Sequence, residues 1–352
     1  MTTLRLGTRR SALATTQSAW VADRLRALGH DVELVEITTE GDTSGELLTA
    51  IGGTGVFAAA IRKALLDGRI DVAVHSLKDL PTTPEPGLVV AAVPQREDSR
   101  DVLVARDALT LGELPAGSVV GTGSPRRTAQ LAALGLGIEI RPIRGNVDTR
   151  IGLVTSGTLD AVVLARAGLA RLGRLEEATE VLDPIQVLPA PGQGALAVEC
   201  RSDRADVLAA VTPLDDPDTR ACVLAERSLL RTLEAGCTAP VGALAEVVED
   251  DEGPVLSLRA FVGTEDGAVE LRRSLVGGYD EPEDLGRRLA HVCLEDGAAE
   301  ITGSPVGGPS PVGATTDTVP PNDPYGSRHD SPHDTPYDTD SPHASHRPEQ
   351  VS

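Results

Sequence analysis

The chain has 352 residues, with 32 Lys or Arg against 53 Asp or Glu, and a formal net charge of −21. This negative balance disfavours nonspecific binding to nucleic acid or to an anionic membrane. No run of about 20 apolar residues is present to span a bilayer. Aromatic residues make up only 2% of the chain, so its cores must be aliphatic, and its length allows two or three domains.

The four cysteines show no Cys-x-x-Cys pair and no Cys/His ligand spacing, so we predict neither a metal site nor a disulfide framework. The first twenty residues lack the apolar segment of a signal peptide. We therefore expect a cytoplasmic protein, and the high charge favours a monomer. Cys200, Cys222 and Cys293 stand among aliphatic residues and are predicted to be buried fillers, whereas Cys237 stands in an open "AGCTAP" segment.

Strands and helices alternate in the first part of the chain and predict an α/β unit. Ser11 begins the first helix and Gly29 ends it. The predicted elements are strand "LRLGT", helix "SALATTQSAWVADRLRALG", strand "DVELVEITT", helix "GVFAAAIRKALLDG" and strands "IDVAVHSL" and "LVVAAVP".

A second unit repeats this alternation. Its predicted elements are strands "DVLVAR" and "SVVGTG", helix "SPRRTAQLAALG", strand "IEIRPIR", helix "VDTRIGLVTSG" and strand "AVVLAR". The segment "QVLPAPGQGALAVEC" then leads onward, and we expect it to re-enter the first unit.

Helices and strands are segregated in the third unit, which is typical of an α+β domain. A helix begins near Pro217 and is predicted to end at Gly236; three strands follow it, "GALAEVVED", "VLSLRAFVG" and "AVELRRSLVG", and then the helix "EPEDLGRRLAHVCLEDG". The final segment holds many prolines and almost no aliphatic residues. It cannot bury enough apolar surface to offset chain entropy, so it is predicted to be disordered.

Charged and hydroxyl side chains follow the carboxyl ends of the predicted strands, where open α/β sheets bind their ligands. They are Arg9, Arg10 and Ser11; Lys78 and Asp79; Ser124, Arg126 and Arg127; Arg144 and Arg150; and Arg166 and Arg171. Since a guanidinium matches carboxylates and phosphates bidentately, the pattern predicts a cleft for a polyanionic ligand. Asp79 is either a salt-bridge partner there or a group that stabilises positive charge during a reaction. Nucleotide-binding glycine motifs and the Gly-x-Ser-x-Gly motif of hydrolases are absent.

Eleven collinear segments between Leu4 and the neighbourhood of Ile301 resemble the porphobilinogen deaminase (hydroxymethylbilane synthase) family. They are "GTRRSALATTQ", "TEGD", "GGTGVF", "VHSLKDLPT", "REDSRDVL", "GTGSPRRTAQL", "IRGNVDTR", "AGLARLG", "LPAPGQGALAVE", "AERSLLRTLEAGC" and "PVGA".

This resemblance implies an α/β fold of two periplasmic-binding-protein-like lobes with mixed sheets and a smaller α+β C-terminal domain. The domains are expected at 1–95 with 190–212 (lobe 1), 96–189 (lobe 2) and 213–301 (cofactor attachment), followed by a disordered tail at 302–352. The implied activity is the head-to-tail joining of four porphobilinogen molecules to 1-hydroxymethylbilane, with loss of ammonia, in tetrapyrrole biosynthesis.

The resemblance also implies residue roles. A covalent dipyrromethane cofactor primes the reaction through a thioether to Cys237, and Asp79 is the catalytic carboxylate. The carboxylates of the cofactor are assigned to Lys78, Ser124, Arg126 and Arg127. Porphobilinogen and the growing polypyrrole chain are assigned to Arg9, Ser11, Arg144, Arg150 and Arg171.

Two questions stay open at the level of sequence. Two lobes around a basic cleft also describe a non-enzymatic bilobal binding protein for a polyanionic small molecule. Such a protein needs an export signal and no reactive cysteine. Arg166 is an additional charge near the cleft, either a further ligand contact or simply exposed.

Overall fold

The computed structural model describes residues 3–37, 55–234, 239–251 and 253–302. Within these ranges the chain builds three β-sheets, each with its own aliphatic core, so that the predicted α/β and α+β units are confirmed. The limits drawn above between the domains stay a prediction. No helix in the described ranges is both long enough and apolar enough to cross a membrane.

The first sheet is mixed and has the strand order β2-β1-β3-β10-β4. Strand β1 is parallel to β2 and β3, whereas β10 is antiparallel to both β3 and β4. The strands are β1 (Leu4–Thr8), β2 (Val32–Glu36), β3 (Val72–Ser76), β4 (Leu88–Ala92) and β10 (Leu196–Arg201), with helices α1 (Ala12–Ala27), α2 (Gly55–Leu66) and α6 (Ala205–Val211). The late strand β10 confirms that the chain re-enters its first unit.

Helix α1 begins where the sequence predicts, because the Ser11 hydroxyl accepts a hydrogen bond from the backbone N–H of Ala14. The helix buries Val21 and Leu25 against Leu6 and Val72 of the sheet. Strand β2 ends at Glu36, which is earlier than the predicted end at Thr39; Thr38 and Thr39 lie outside the described residues.

The second sheet repeats this arrangement with the strand order β7-β6-β8-β5-β9. Strand β6 is parallel to β7 and β8, and β5 is antiparallel to β8. All five residues of β5 are buried, as expected for a strand covered on both faces. The elements are β5 (Asp101–Ala105), β6 (Val119–Thr122), β7 (Glu139–Pro142), β8 (Ala161–Ala165) and β9 (Glu180–Val181), with helices α3 (Pro125–Ala133), α4 (Val147–Thr155) and α5 (Arg166–Arg171).

Two segments connect these sheets, at 93–100 and 182–195, and they run side by side. The backbone N–H of Glu97 donates to the carbonyl of Gly194, and the Arg96 Nε–H donates to the carbonyl of Gln193 at 2.7 Å. Gly194 has a φ of +89°, and a Cβ there would lie 2.3 Å from the Glu97 carbonyl oxygen. Only glycine allows this close approach of the two connections.

The third sheet is an antiparallel meander, β11-β12-β13, covered by two helices. Its elements are α7 (Pro217–Thr232), β11 (Val241–Asp250), β12 (Gly253–Gly263), β13 (Glu270–Gly278), α8 (Pro282–Glu295) and α9 (Ala298–Thr302). The helices α7 and α8 pack closely because Gly286 has no side chain; a Cβ there would lie 2.3 Å from the Ala225 carbonyl oxygen.

Helix α7 ends earlier than the sequence predicts. Pro217 occupies its first turn as expected, but the last helical residue is Thr232, and Glu234 has a left-handed φ of 50° that ends the helical conformation. The predicted end, Gly236, lies outside the described residues. So does the predicted disordered tail, apart from Thr302, which is the last residue of α9.

A buried carboxylate on α7 ties the third domain to the connections between the other sheets. Glu226 accepts two hydrogen bonds from the Arg96 guanidinium, at 2.7 and 3.1 Å. The same carboxylate accepts from the backbone N–H groups of Gly192 and Ala245. With its side chain fully buried and its oxygens all engaged, Glu226 fixes α7 against both connections.

Candidate active site

A single turn of 3₁₀ helix, Leu77–Asp79, follows strand β3 and carries two of the predicted site residues. Leu77 is buried in a small aliphatic cluster with Leu80 and with Val223 of α7. Lys78 is half-buried and Asp79 is exposed. The apolar residues on either side therefore anchor the turn, and its two charged side chains remain available for chemistry.

Arg227 of α7 is hydrogen-bonded to the backbone of this turn and of the residues that follow it. Its guanidinium donates to the carbonyl oxygens of Leu80 at 2.9 Å and Pro81 at 2.6 Å, with a longer contact of 3.4 Å to Leu77. The position of Asp79 is thus set by a helix of the third domain as well as by its own strand.

Lys78 lies in a crowded, largely desolvated position. Its Nζ donates to the side-chain oxygen of Gln193 at 3.2 Å. Burial lowers the pKa of Lys78 to about 8; Asp79 and Asp101 raise it, and the guanidiniums of Arg127 and Arg126 lower it further. Lys78, which follows a strand of the first sheet, is therefore close enough to interact with Arg126 and Arg127, which follow a strand of the second sheet.

We predict that Lys78 loses its charge between about pH 7 and pH 9, far below the unfolded value of about 10.4. Because its pKa is lowered on folding, the charged form disfavours the folded state below pH 8, and that penalty disappears as the pH rises toward the unfolded pKa. The chain has only two lysines, so ¹³Cε-lysine NMR gives two signals, and Lys63→Arg assigns them. A Lys78 midpoint above pH 10 would contradict the prediction.

Arg126 and Arg127 occupy the first turn of α3, after Ser124 at the N-cap and Pro125 at the first helical position. Both are more buried than a residue at the mouth of a cleft would be, with 3% and 5% of their surface exposed. Each donates one Nη–H to the same buried carboxylate, Asp101, at 2.8 Å (Arg126) and 2.7 Å (Arg127).

Of the remaining donors of the two guanidiniums, the second Nη of each is hydrogen-bonded and, among the described residues, the Nε is not. Arg126 also donates to the carbonyl of Leu188, and Arg127 donates to that of Val163. The Nε atoms of both arginines, however, are buried and have no hydrogen-bond partner within the described part of the chain. Two buried cationic donors without a partner are costly, and either a bound anion or an ordered water would satisfy them.

Arg150 and Arg144 stand near the start of α4. Asn146 caps this helix, and the Arg150 Nε–H donates to the carbonyl of Gly145 at 2.9 Å. Burial lowers the pKa of Arg150, and the nearby Arg127 lowers it further. We call Lys78, Arg126, Arg127 and Arg150 together the cationic region. Arg144 is exposed.

The other predicted contacts flank α1 and α5, two helices that touch each other. Arg171 ends α5 and donates to the carbonyl of Gly194 at 2.6 Å, beside Gln193. Burial lowers its pKa, and Glu97 raises it. Arg9 follows β1 and is half-buried. The Ser11 hydroxyl accepts the capping hydrogen bond of α1, and its own O–H remains a donor.

Arg166, whose role the sequence leaves open, forms ion pairs. Its guanidinium lies 3.2 Å from Glu97 and 3.4 Å from Asp98, and about three quarters of the side chain is buried. Arg166 is therefore neither simply exposed nor an unpaired cation that awaits a ligand, because Glu97 and Asp98 compensate its charge within the protein.

The structure adds three residues that sequence reasoning missed: Asp101, Gln193 and Arg227. The Gln193 side chain accepts from Lys78 and donates to Asp101 at 2.7 Å, so it links the two sheets. A signal for Asp101 is present in the sequence, since a lone acid opens the otherwise apolar strand "DVLVA". Gln193 and Arg227 carry no comparable local signal.

Three of the four cysteines are buried, as the sequence predicts. Cys200, Cys222 and Cys293 are buried and free, which confirms their interpretation as fillers. Burial raises their thiol pKa values to about 11, 12 and 11 respectively, so they are poor nucleophiles. Cys237 lies outside the described residues.

Solved structures with remote sequences are similar to parts of this chain. Lipoprotein Tp32 from Treponema pallidum has a TM-score of 0.39 at 12% identity, covering 59% of this chain and 88% of that one. A periplasmic substrate-binding protein of an ABC transporter from Coxiella burnetii has a TM-score of 0.38 at 13% identity, covering 60% and 91%.

Sequence comparisons match nearly the whole described chain. The family model "Porphobilinogen deaminase, dipyromethane cofactor binding domain" matches residues 4–209, and "Porphobilinogen deaminase, C-terminal domain" matches residues 220–295. The porphobilinogen deaminase of Mycobacteroides abscessus is 59% identical over 305 residues, which are 85% of this chain and 99% of that protein. That of Mycobacterium tuberculosis is 58% identical over 303 residues, or 85% and 98%. The chain therefore belongs to the porphobilinogen deaminase family.

Proposed function

We propose that the chain joins four porphobilinogen molecules head to tail into 1-hydroxymethylbilane, releasing one ammonia at each addition, with a covalent dipyrromethane as primer. The observation that carries this proposal is the pair of buried guanidiniums, Arg126 and Arg127, each with an unsatisfied Nε–H. Family membership supports this enzymatic hypothesis rather than the alternative of a bilobal binding protein.

The donors present fit a dipyrromethane. Its two pyrrole rings carry four carboxylates. The Nε–H groups of the buried Arg126 and Arg127, unpartnered in the described ranges, and the half-buried Lys78 ammonium supply cationic partners for them. Ser124, at the N-cap of α3, adds a hydroxyl and the positive end of a helix. When bound, the dipyrromethane supplies the terminal pyrrole to which the first porphobilinogen is joined.

Cys237 is the residue that we assign to the thioether. Four cysteines are present in the chain, and the other three are buried with raised pKa values. The assignment of Cys237 itself rests on its place at the end of the segment "AERSLLRTLEAGC", which resembles the family, since Cys237 lies outside the described residues.

Porphobilinogen and the lengthening chain bring further carboxylates, for which we assign a second set of groups. Arg150 and Arg171 remain protonated, and their partial burial strengthens ionic hydrogen bonds to a ligand. Arg9, Ser11 and Arg144 complete this set. Arg144 is the most exposed of its arginines, which suits a contact made near the rim of the site.

Asp79 is assigned the chemical step. In each addition the carbon–nitrogen bond of the substrate aminomethyl group breaks, a carbon–carbon bond to the terminal pyrrole forms, and the amine and one ring proton leave. Positive charge develops on a pyrrole ring during this exchange. The exposed carboxylate of Asp79, held by the anchored turn, accepts a hydrogen bond from the ring N–H and stabilises that charge.

We further propose that the enzyme acts as a cytoplasmic monomer. Its net charge of −21 supports mutual repulsion between copies.

Intact-mass analysis and a turnover assay test the main proposal together. The purified protein should exceed its polypeptide mass by roughly 420 daltons, the sum of two porphobilinogen units less their ammonia, as for a covalent intermediate held by a nucleophile. It should also convert porphobilinogen to 1-hydroxymethylbilane and release one ammonia for each porphobilinogen consumed, which is four for each product molecule. A bare polypeptide mass after preparation with porphobilinogen, together with no substrate consumption, would overturn the proposal.

A further inference from the structure

Asp101 has the most heavily used carboxylate in the cationic region. It is the first residue of β5 and is fully buried. Its Oδ2 accepts from Arg126, and its Oδ1 accepts from Arg127 and from the Gln193 side-chain amide. Arg126 and Arg127 belong to the proposed cofactor site. Gln193 contacts Lys78, which also belongs to that site.

The charges around Asp101 do not cancel. One carboxylate faces two guanidiniums, and the Lys78 ammonium interacts with all three groups. Burial alone would raise the pKa of the Asp101 carboxyl, but Arg126 and Arg127 hold it well below its ordinary value, so the group is ionised. The site therefore keeps an excess of positive charge, while the repulsion between its two arginines is partly offset.

The contacts also fix the orientation of each guanidinium. In both arginines one Nη donates to Asp101 and the other donates to a backbone carbonyl, of Leu188 or of Val163. A planar group held at two of its three nitrogens cannot rotate, so the third nitrogen, Nε, has a set direction. These Nε atoms are the ones that lack partners among the described residues.

We propose that Asp101 is the positioning residue of the dipyrromethane site: it holds Arg126 and Arg127 in ligand-ready orientation before the cofactor arrives. It touches only protein groups, so it acts through the arginines and not on the reacting atoms. The inference rests on the proposed function and deepens it.

The first test measures how fast the apoprotein acquires its cofactor. Apoprotein is prepared in a host unable to make porphobilinogen, then incubated with porphobilinogen, and the mass increase is followed with time. Asp101→Asn keeps the shape of the side chain but removes its charge, and we expect acquisition to slow by at least about tenfold, the scale of losing one partner of a buried ionic pair.

Glu199→Gln is the matched control. Glu199 is likewise buried and binds a guanidinium, Arg62, at 2.8 Å, but it has no described contact with the cationic region. We expect this variant to lose thermal stability, as Asp101→Asn does, yet to acquire the cofactor at the wild-type rate. The pKa of Lys78, followed by ¹³Cε-lysine NMR, should fall in Asp101→Asn and stay unchanged in Glu199→Gln, because Asp101 raises it.

A second measurement leaves Asp101 intact, in case its substitution prevents folding. In the Cys237→Ser protein, which cannot hold the cofactor, the Nε–H groups of Arg126 and Arg127 should already give ordered, slowly exchanging ¹⁵Nε signals. Signals that become ordered only in the cofactor-bearing wild type would overturn the inference. So would an Asp101→Asn protein that gains the mass increment as fast as the wild type. A wild type that never gains the increment would instead refute the proposed function.

Discussion

Asp79→Asn is expected to lower turnover at least about 100-fold, which corresponds to about 2.7 kcal/mol of transition-state stabilisation. The amide has the shape of the carboxylate, but it carries no negative charge to stabilise a positively charged pyrrole ring and cannot accept a proton. Because Asp79 is exposed at the end of an anchored turn, the substitution should leave the fold and its thermal stability unchanged. Steady-state formation of 1-hydroxymethylbilane measures the effect, with rates normalised to the fraction of molecules that carry the mass increment.

Asp67→Asn provides the comparison for this loss. Asp67 is an exposed aspartate paired with Lys63 on the surface, and it lies outside the turn that carries Asp79. It should retain wild-type turnover. Near-normal turnover in Asp79→Asn would remove Asp79 from the mechanism.

Cys237→Ser should abolish both the mass increment of roughly 420 daltons and the activity, since a serine hydroxyl is a far weaker nucleophile than a thiolate at neutral pH. The loss should be complete rather than partial, because without a covalent primer the growing chain is not retained. Intact mass and product formation, measured on one preparation, report the two effects.

The buried cysteines make the result specific. Cys222→Ala and Cys293→Ala remove thiols whose pKa is raised to about 12 and about 11 by burial, and both variants should keep the increment and the activity. An increment that persists in Cys237→Ser would assign the attachment to another cysteine.

Local sequence patterns predicted most of the regular structure. The alternating and apolar runs located the strands of the three sheets except β9, which was missed, and β10, which was expected only as a segment re-entering the first unit. Ser11 and Pro217 correctly marked two helix starts. The short helices α5, α6 and α9 and the turn at Leu77–Asp79 were missed, because elements of three to seven residues have too little periodicity to stand out and are stabilised by their packing.

The candidate site was predicted in part, because the rule used selects only residues that follow the carboxyl ends of strands. The rule that ligands bind beyond strand ends selected Lys78, Asp79, Arg126 and Arg127, and Lys78 and the two arginines interact in the structure. The rule could not select Asp101, at the amino end of β5, or Gln193, in a connection. Their contacts arise because one antiparallel strand and one returning segment bring sequence-distant residues together.

The paired connections at 93–100 and 182–195 have a consequence for motion. Arg96 fastens the two connections together, and Glu226 fastens both to α7. Because these two segments are the chain connections between the five-stranded sheets, we expect a rotation of one sheet against the other to strain this place. Gln193 lies in it and touches both Lys78 and Asp101. A hinge movement that widened the space for a longer polypyrrole would therefore alter the grip on its first rings at the same moment.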